Sequence, residues 1–254
     1  MQKDSLKLGK FEFQSRFILG SGKYSLELID AAIRQAGAQI ITLALRRVNS
    51  GGMGNILDFI PEGVTLLPNT SGARRAEEAL RIALLARELC GAELIKIEVI
   101  RDSKYLLPDN YETARAVELL AKEGFTPLPY MSADIYAARA MRDAGAAALM
   151  PLAAPIGSNR GLCAREFIEI LLAEFDLPII VDAGLGTPAQ ACEAMQMGAA
   201  GVMVNTALAE ASNTPQMARA FALAVEAGRA AFLAGLAPVG GARASSPLTG
   251  FLRD

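Results

Sequence analysis

The sequence predicts an α/β fold, a closed (β/α)8 TIM barrel preceded by a short N-terminal hairpin. Three observations carry this reading. Eight short apolar segments recur along the chain, mostly with helical segments between them, and alternating βα units require parallel strands. A glycine recurs where a helical segment ends and a strand follows. The length, 254 residues, fits the roughly 250 residues of a typical barrel of this kind. A doubly wound open sheet is the alternative. No domain boundary is visible, so residues 1–254 read as one domain, with a flexible C-terminal tail expected over 236–254.

The elements follow in order. Leu6-Lys7-Leu8 and Phe11-Glu12-Phe13 alternate on either side of Gly9-Lys10, the pattern of a hairpin, placed to plug the barrel floor. Strands are expected at 17–19, 40–45, 65–67, 94–100, 126–130, 148–152, 178–182 and 201–205. Gly37, Gly91, Gly124, Gly145 and Gly198 each stand just before a strand, where glycine takes the left-handed helix cap at little steric cost. Thr187-Pro188 and Thr214-Pro215 place a capping threonine before a proline at the first helical position. Ser132 and Asn110 are expected to cap two further helices. From Leu236 the chain is rich in Gly, Pro, Ser and Ala, which gives the expectation of a poorly ordered tail.

Composition removes several function classes. The net charge is -2, from 25 Lys+Arg and 27 Asp+Glu, which argues against a general affinity for nucleic acid or an anionic membrane. No run approaches the ~18 apolar residues of a membrane span. The opening Met1-Gln2-Lys3-Asp4 lacks the apolar stretch of a signal peptide. Cys90, Cys163 and Cys192 match no zinc or redox spacing, and a reducing cytoplasm is the expected compartment. The chain has no histidine. Ser-His-Asp and Cys-His chemistry are therefore excluded, and proton transfer must use carboxylates, lysine, tyrosine, cysteine or water. No acidic cluster suggests a metal, and no organic cofactor is expected.

The segment Leu94-Ile95-Lys96-Ile97-Glu98-Val99-Ile100 carries the chemistry. Successive strand side chains point to opposite faces. Ile95, Ile97 and Val99 share one face, while Leu94, Lys96 and Glu98 share the other. Two charges on a buried strand need a reason. One is a structural ion pair. The other is a Schiff-base lysine with a carboxylate beside it for proton transfer. Asp182 ends the seventh strand, and active groups of barrels gather at the C-terminal strand ends. Lys96, Glu98 and Asp182 are thus expected to meet at one mouth, although Asp182 also suits a plain turn before Ala183-Gly184. The glycine-rich turn 182–188 and Asn205-Thr206-Ala207 follow consecutive late strands, the pair of loops from which barrels often build phosphate sites. Gly157, after the sixth strand, adds a backbone donor. Gly20-Ser21-Gly22-Lys23 departs from the phosphate-binding P-loop pattern at Phe17 and Tyr24.

The residues resemble bacterial thiazole synthase, the family that forms the thiazole phosphate of thiamine. The likeness rests on Leu66-Leu67-Pro68-Asn69-Thr70, the Lys96 strand, Leu106-Leu107-Pro108-Asp109, residues 150–158 and 181–188, Asn205-Thr206-Ala207, and Ala244-Ser245-Ser246-Pro247-Leu248. It implies a Schiff-base lysine at Lys96 and acid/base carboxylates at Glu98 and Asp182. It implies phosphate-binding positions at Gly157, Ala183, Gly184, Asn205 and Thr206. The implied inputs are 1-deoxy-D-xylulose 5-phosphate, dehydroglycine, and a small sulfur-carrier protein bearing a C-terminal thiocarboxylate. A homo-oligomer, a tetramer by resemblance, is also implied. The loop at 46–55, with Arg46, Arg47 and three glycines, is expected to rim the mouth and meet the carrier's tail. A lysine-dependent phosphosugar aldolase and a non-catalytic phosphometabolite-binding barrel remain the alternatives.

Overall fold

The computed structural model describes residues 4–20, 25–45 and 60–242. The expected loop at 46–55, residues 21–24 of the P-loop-like segment, and the tail beyond residue 242 lie outside these residues. The first two strands, β1 (Leu6–Leu8) and β2 (Phe11–Phe13), pair antiparallel around Gly9, whose φ is 58°. Eight parallel strands follow: β3 (Phe17–Leu19), β4 (Ile40–Ala44), β5 (Thr65–Asn69), β6 (Leu94–Ile97), β7 (Thr126–Met131), β8 (Met150–Pro151), β9 (Ile180–Val181) and β10 (Gly201–Val204). Neighbouring pairs run in chain order, and β10 pairs with β3. The ring closes between β8 and β9. There Leu149 bridges Ile179 and Leu152 bridges Asp182, and the Asp182 N–H donates to the Pro151 carbonyl at 3.0 Å. The barrel is therefore closed, as the alternation of elements predicts, and the open sheet is set aside.

Helices cover the outside: α1 (Leu26–Arg34), α2 (Ala76–Cys90), α3 (Asn110–Lys122), α4 (Ile135–Asp143), α5 (Arg165–Glu174), α6 (Pro188–Gln196), the short α7 (Thr206–Ala209) and α8 (Thr214–Ala234). Strand alternation sorts the core into layers. Ile95, Ile97 and Val99 pack outward with Ala79, Ala83, Ala116 and Val117 of the helices. Leu94 points inward with Ile18, Ile40, Leu67, Leu128, Met150 and Ile180. Leu6, Leu8 and Phe13 of the hairpin join that inner cluster, so the hairpin does plug the floor. Asp4 fastens this segment. It accepts from both Arg16 and Arg229 at 2.7 Å, while Arg16 also donates to the Ala200 carbonyl.

The helix ends follow the sequence in part. Thr187 caps α6 in a reciprocal capping box with Gln190. The five glycines before strands all take positive φ, and Gly91 is the left-handed cap of α2. Three other caps shift by one or two residues. Asp109 rather than Asn110 caps α3, Asp134 rather than Ser132 caps α4, and Asn213 rather than Thr214 caps α8. The expected Asn110 side chain instead accepts from the Ser132 N–H at 3.0 Å, tying two loops together. At α2 the capping residue is Arg75, whose side chain makes no cap bond. Glu112 of α3 supplies it from outside, accepting from the Ala76 N–H at 2.8 Å. No helix among the described residues is long and apolar enough to cross a membrane.

Candidate active site

The C-terminal strand ends open on a cavity of about 330 Å³. β6 carries Lys96 inward and, one residue past its end, Glu98. β9 ends at Val181, so Asp182 stands at the rim on the same side. The three side chains meet. Lys96 Nζ lies 3.1 Å from Glu98 Oε1 and 2.7 Å from Asp182 Oδ2. All three residues are buried, with 5%, 7% and 4% of their surfaces exposed. This is the convergence expected from the strand pattern.

Local structure holds each carboxylate. Glu98 sits where the β6 ladder stops, and Thr70 replaces the lost pairing. The Glu98 N–H donates to Thr70 Oγ1 at 2.8 Å, and that hydroxyl donates back to the Glu98 carbonyl at 2.9 Å. Asn69, in register with Lys96 on the neighbouring strand, donates its side-chain amide to Glu98 Oε1 at 3.3 Å. The Asp182 backbone is fixed by the bond that closes the barrel. Two further side chains meet the lysine. Met203 Sδ accepts from Nζ at 3.3 Å, and the Tyr130 ring centroid lies 5.4 Å away.

Burial opposes charge on Lys96, but Asp182 and Glu98 together outweigh it and hold the amine above its ordinary value. The resting lysine is therefore an ammonium. Burial holds the Asp182 carboxyl above its ordinary value, against the pull of Lys96. The carboxylate closest to the ammonium is thus also one with raised basicity, and a proton passed across 2.7 Å would free the amine as a nucleophile.

Several other lining positions can offer backbone groups. Gly157, Ala183, Gly184, Asn205 and Thr206 all line the same cavity as the three ionisable groups. They come from the loops after β8, β9 and β10. Ala183 and Gly184 adopt φ of 59° and 86° in succession. Gly184 is required there: a Cβ on it would lie 2.5 Å from the backbone nitrogen of Ala154. Asn205 donates to the Gly20 carbonyl at 2.7 Å and opens α7 with Thr206. The first N–H groups of a helix have no partner within it, and such groups suit an anion. Gly157 approaches this point closely, since a Cβ there would sit 3.9 Å from Thr206 Oγ1.

All eight singled-out residues therefore border one cavity. Sequence reasoning missed Asn69, Thr70, Tyr130 and Met203. Their signal was present: Asn69, Tyr130 and Met203 lie on the inward-facing alternate positions of β5, β7 and β10. Only the register between strands says that those positions reach Lys96.

Comparison with known proteins gives the family. Residues 7–247 match the family described as thiazole biosynthesis protein ThiG. The thiazole synthase of Campylobacter jejuni (strain RM1221) is 77% identical over 254 residues, covering 100% of this chain and 98% of that protein. The thiazole synthase of Clostridium beijerinckii is 67% identical over 256 residues, covering both chains fully. Among solved structures, the Amycolatopsis orientalis BexX/CysO complex contains a chain that superposes with a TM-score of 0.84. It is 34% identical, covering 93% of this chain and 98% of that one. A structure described as native KDPGal, 19% identical with a TM-score of 0.60, covers 87% of this chain and 98% of its own, and shares the barrel alone. Identity of 77% over the full chain and a family match across almost the whole sequence lead to one assignment: the chain belongs to the ThiG thiazole biosynthesis family.

Proposed function

We propose that this chain builds thiazole phosphate from 1-deoxy-D-xylulose 5-phosphate, dehydroglycine and a sulfur-carrier thiocarboxylate, through an imine on Lys96. The observation that carries the proposal is the buried lysine held between two carboxylates, in a cavity that glycine-rich loops also line. A phosphorylated ketose fits between them. Its phosphate meets the loops of Gly157, Ala183-Gly184 and Asn205-Thr206, and its carbon chain extends toward Lys96.

The residues then act in order. Asp182 takes a proton from the ammonium across 2.7 Å. The free amine adds to the ketone, and water leaves to give an iminium. That cation draws electrons, so the neighbouring C–H becomes acidic. Glu98 or Asp182 removes this proton and returns one elsewhere, which moves the carbonyl one carbon along the chain. The thiocarboxylate sulfur attacks the new ketone, and dehydration with dehydroglycine closes the ring. The BexX/CysO complex, in which a relative is held with a second protein, supports a protein partner. The chain acts as one barrel domain, in the cytoplasm, and as a homo-oligomer. Tyr136 on α4 and Phe167 and Ile170 on α5, exposed and apolar, support association.

Borohydride trapping tests this reading. Incubation with 1-deoxy-D-xylulose 5-phosphate and borohydride, then peptide mass mapping, should place the reduced adduct on Lys96. An adduct on another lysine, or none, refutes the imine. Cleavage of the sugar's C–C bond without any carrier would establish an aldolase.

A further inference from the structure

β7 brings to the lysine a side chain that the reaction scheme does not use. Tyr130 is fully buried, and its ring centroid lies 5.4 Å from Lys96 Nζ. Its hydroxyl donates to the Leu106 carbonyl at 3.4 Å. Leu106 belongs to the loop between β6 and α3, lines the cavity, and adopts a φ of 55° that leucine ordinarily avoids. One side chain thus touches both the cation and the segment beside the substrate space. Burial, reinforced by Asp182 and Glu98, holds the phenol far above its ordinary value. It stays a neutral O–H donor and moves no proton itself.

The lysine's other partners depend on its protons. As an ammonium, Nζ has three N–H donors; it donates to Met203 Sδ and lies at ion-pair distance from Glu98 Oε1 and Asp182 Oδ2. Summed over its steps, imine formation converts the ammonium and the ketone into an iminium and water. The iminium nitrogen keeps its positive charge but only one N–H. Two of the three N–H donors are therefore lost at the moment the cation must be sustained. A ring face attracts charge without needing a proton, so this contact survives the conversion.

We propose that Tyr130 is a positioning residue, whose ring supports the positive charge of Lys96 through imine formation and whose hydroxyl holds the Leu106 segment beside the substrate. This rests on the imine at Lys96 proposed above. The test places phenylalanine, then trifluoro- and pentafluorophenylalanine, at position 130. Fluorination withdraws charge from the ring face and leaves its shape nearly intact, so folding is preserved. Borohydride trapping should fall stepwise along this series, to about one-tenth with the pentafluoro ring. Tyr130→Phe should keep trapping at saturating substrate within about 2-fold and raise KM about 5-fold with kcat nearly unchanged, as for one lost hydrogen bond. Trapping that is independent of fluorination overturns the role of the ring. An unchanged KM in Tyr130→Phe overturns that of the hydroxyl. No adduct in the unsubstituted protein overturns the imine itself, a result distinct from either.

Discussion

Removing Lys96 should cost more than catalysis. Lys96→Met keeps much of the side-chain volume and deletes the charge. Glu98 and Asp182 then face each other in a site where 7% and 4% of their surfaces are exposed, with their shared counter-ion, 3.1 and 2.7 Å away, gone. Breaking a buried ion pair from one side costs about 3–5 kcal/mol, because the remaining charge is uncompensated. In a chain of this size that is a melting-temperature loss of roughly 10 °C near pH 8. The loss should depend on pH. Burial already raises the Asp182 carboxyl above its unfolded value, and deleting Lys96 removes the group that opposed the rise. A raised carboxyl contributes stability that is present below its unfolded value and lost as pH climbs through its folded value. The gap between variant and parent should therefore narrow as pH falls from 8 to 5. Urea or thermal unfolding across that range, with borohydride trapping in parallel, measures both effects. A gap that stays constant from pH 8 to 5 would refute the picture of two stranded carboxylates.

Three further outcomes are expected. Glu98→Gln should still form the reducible imine but lose about 10²-fold or more in turnover, the scale of general acid–base catalysis, and Asp182→Asn, which removes the base that frees the amine, should lose turnover on the same scale and slow imine trapping as well; normal turnover in both would make them structural. Gly184→Val should raise the dissociation constant of the sugar phosphate strongly, because its Cβ would press to 2.5 Å on Ala154 at a φ of 86°, and calorimetry showing parental affinity would move the phosphate elsewhere. Glu112→Gln should destabilise the fold by about 2 kcal/mol, the worth of a charged hydrogen bond. The Ala76 N–H, ahead of Arg115 and Arg101, holds this carboxyl below its ordinary value, so its contribution is present above pH 4.5 and fades as pH falls through the lower folded value. A destabilisation equal at pH 7 and pH 3 would count against the cross-helix cap.

What the sequence determined by itself is local. Period-two alternation put Lys96 and Glu98 on the face opposite Ile95, Ile97 and Val99, because successive strand residues point opposite ways whatever surrounds them. The glycines before strands marked helix ends, since a left-handed cap excludes most side chains. Repetition of the βα unit pointed to eight strands, and the missing histidine narrowed proton transfer to carboxylates, lysine, tyrosine, cysteine or water. Family likeness supplied the proposed substrates, which no periodicity contains. The tertiary structure alone decided which inward residues meet. Tyr130 and Met203 reach Lys96, and Asn69 reaches Glu98, only because strand register and closure between β8 and β9 set their heights in the barrel. Cap choice was likewise undecidable locally, since Asp109 and Asn110 are adjacent polar residues and packing assigned one to the helix and the other to Ser132. The cap that Glu112 gives α2 comes from another helix altogether. Direction along a strand is written in the chain, but distance across a barrel depends on every strand between.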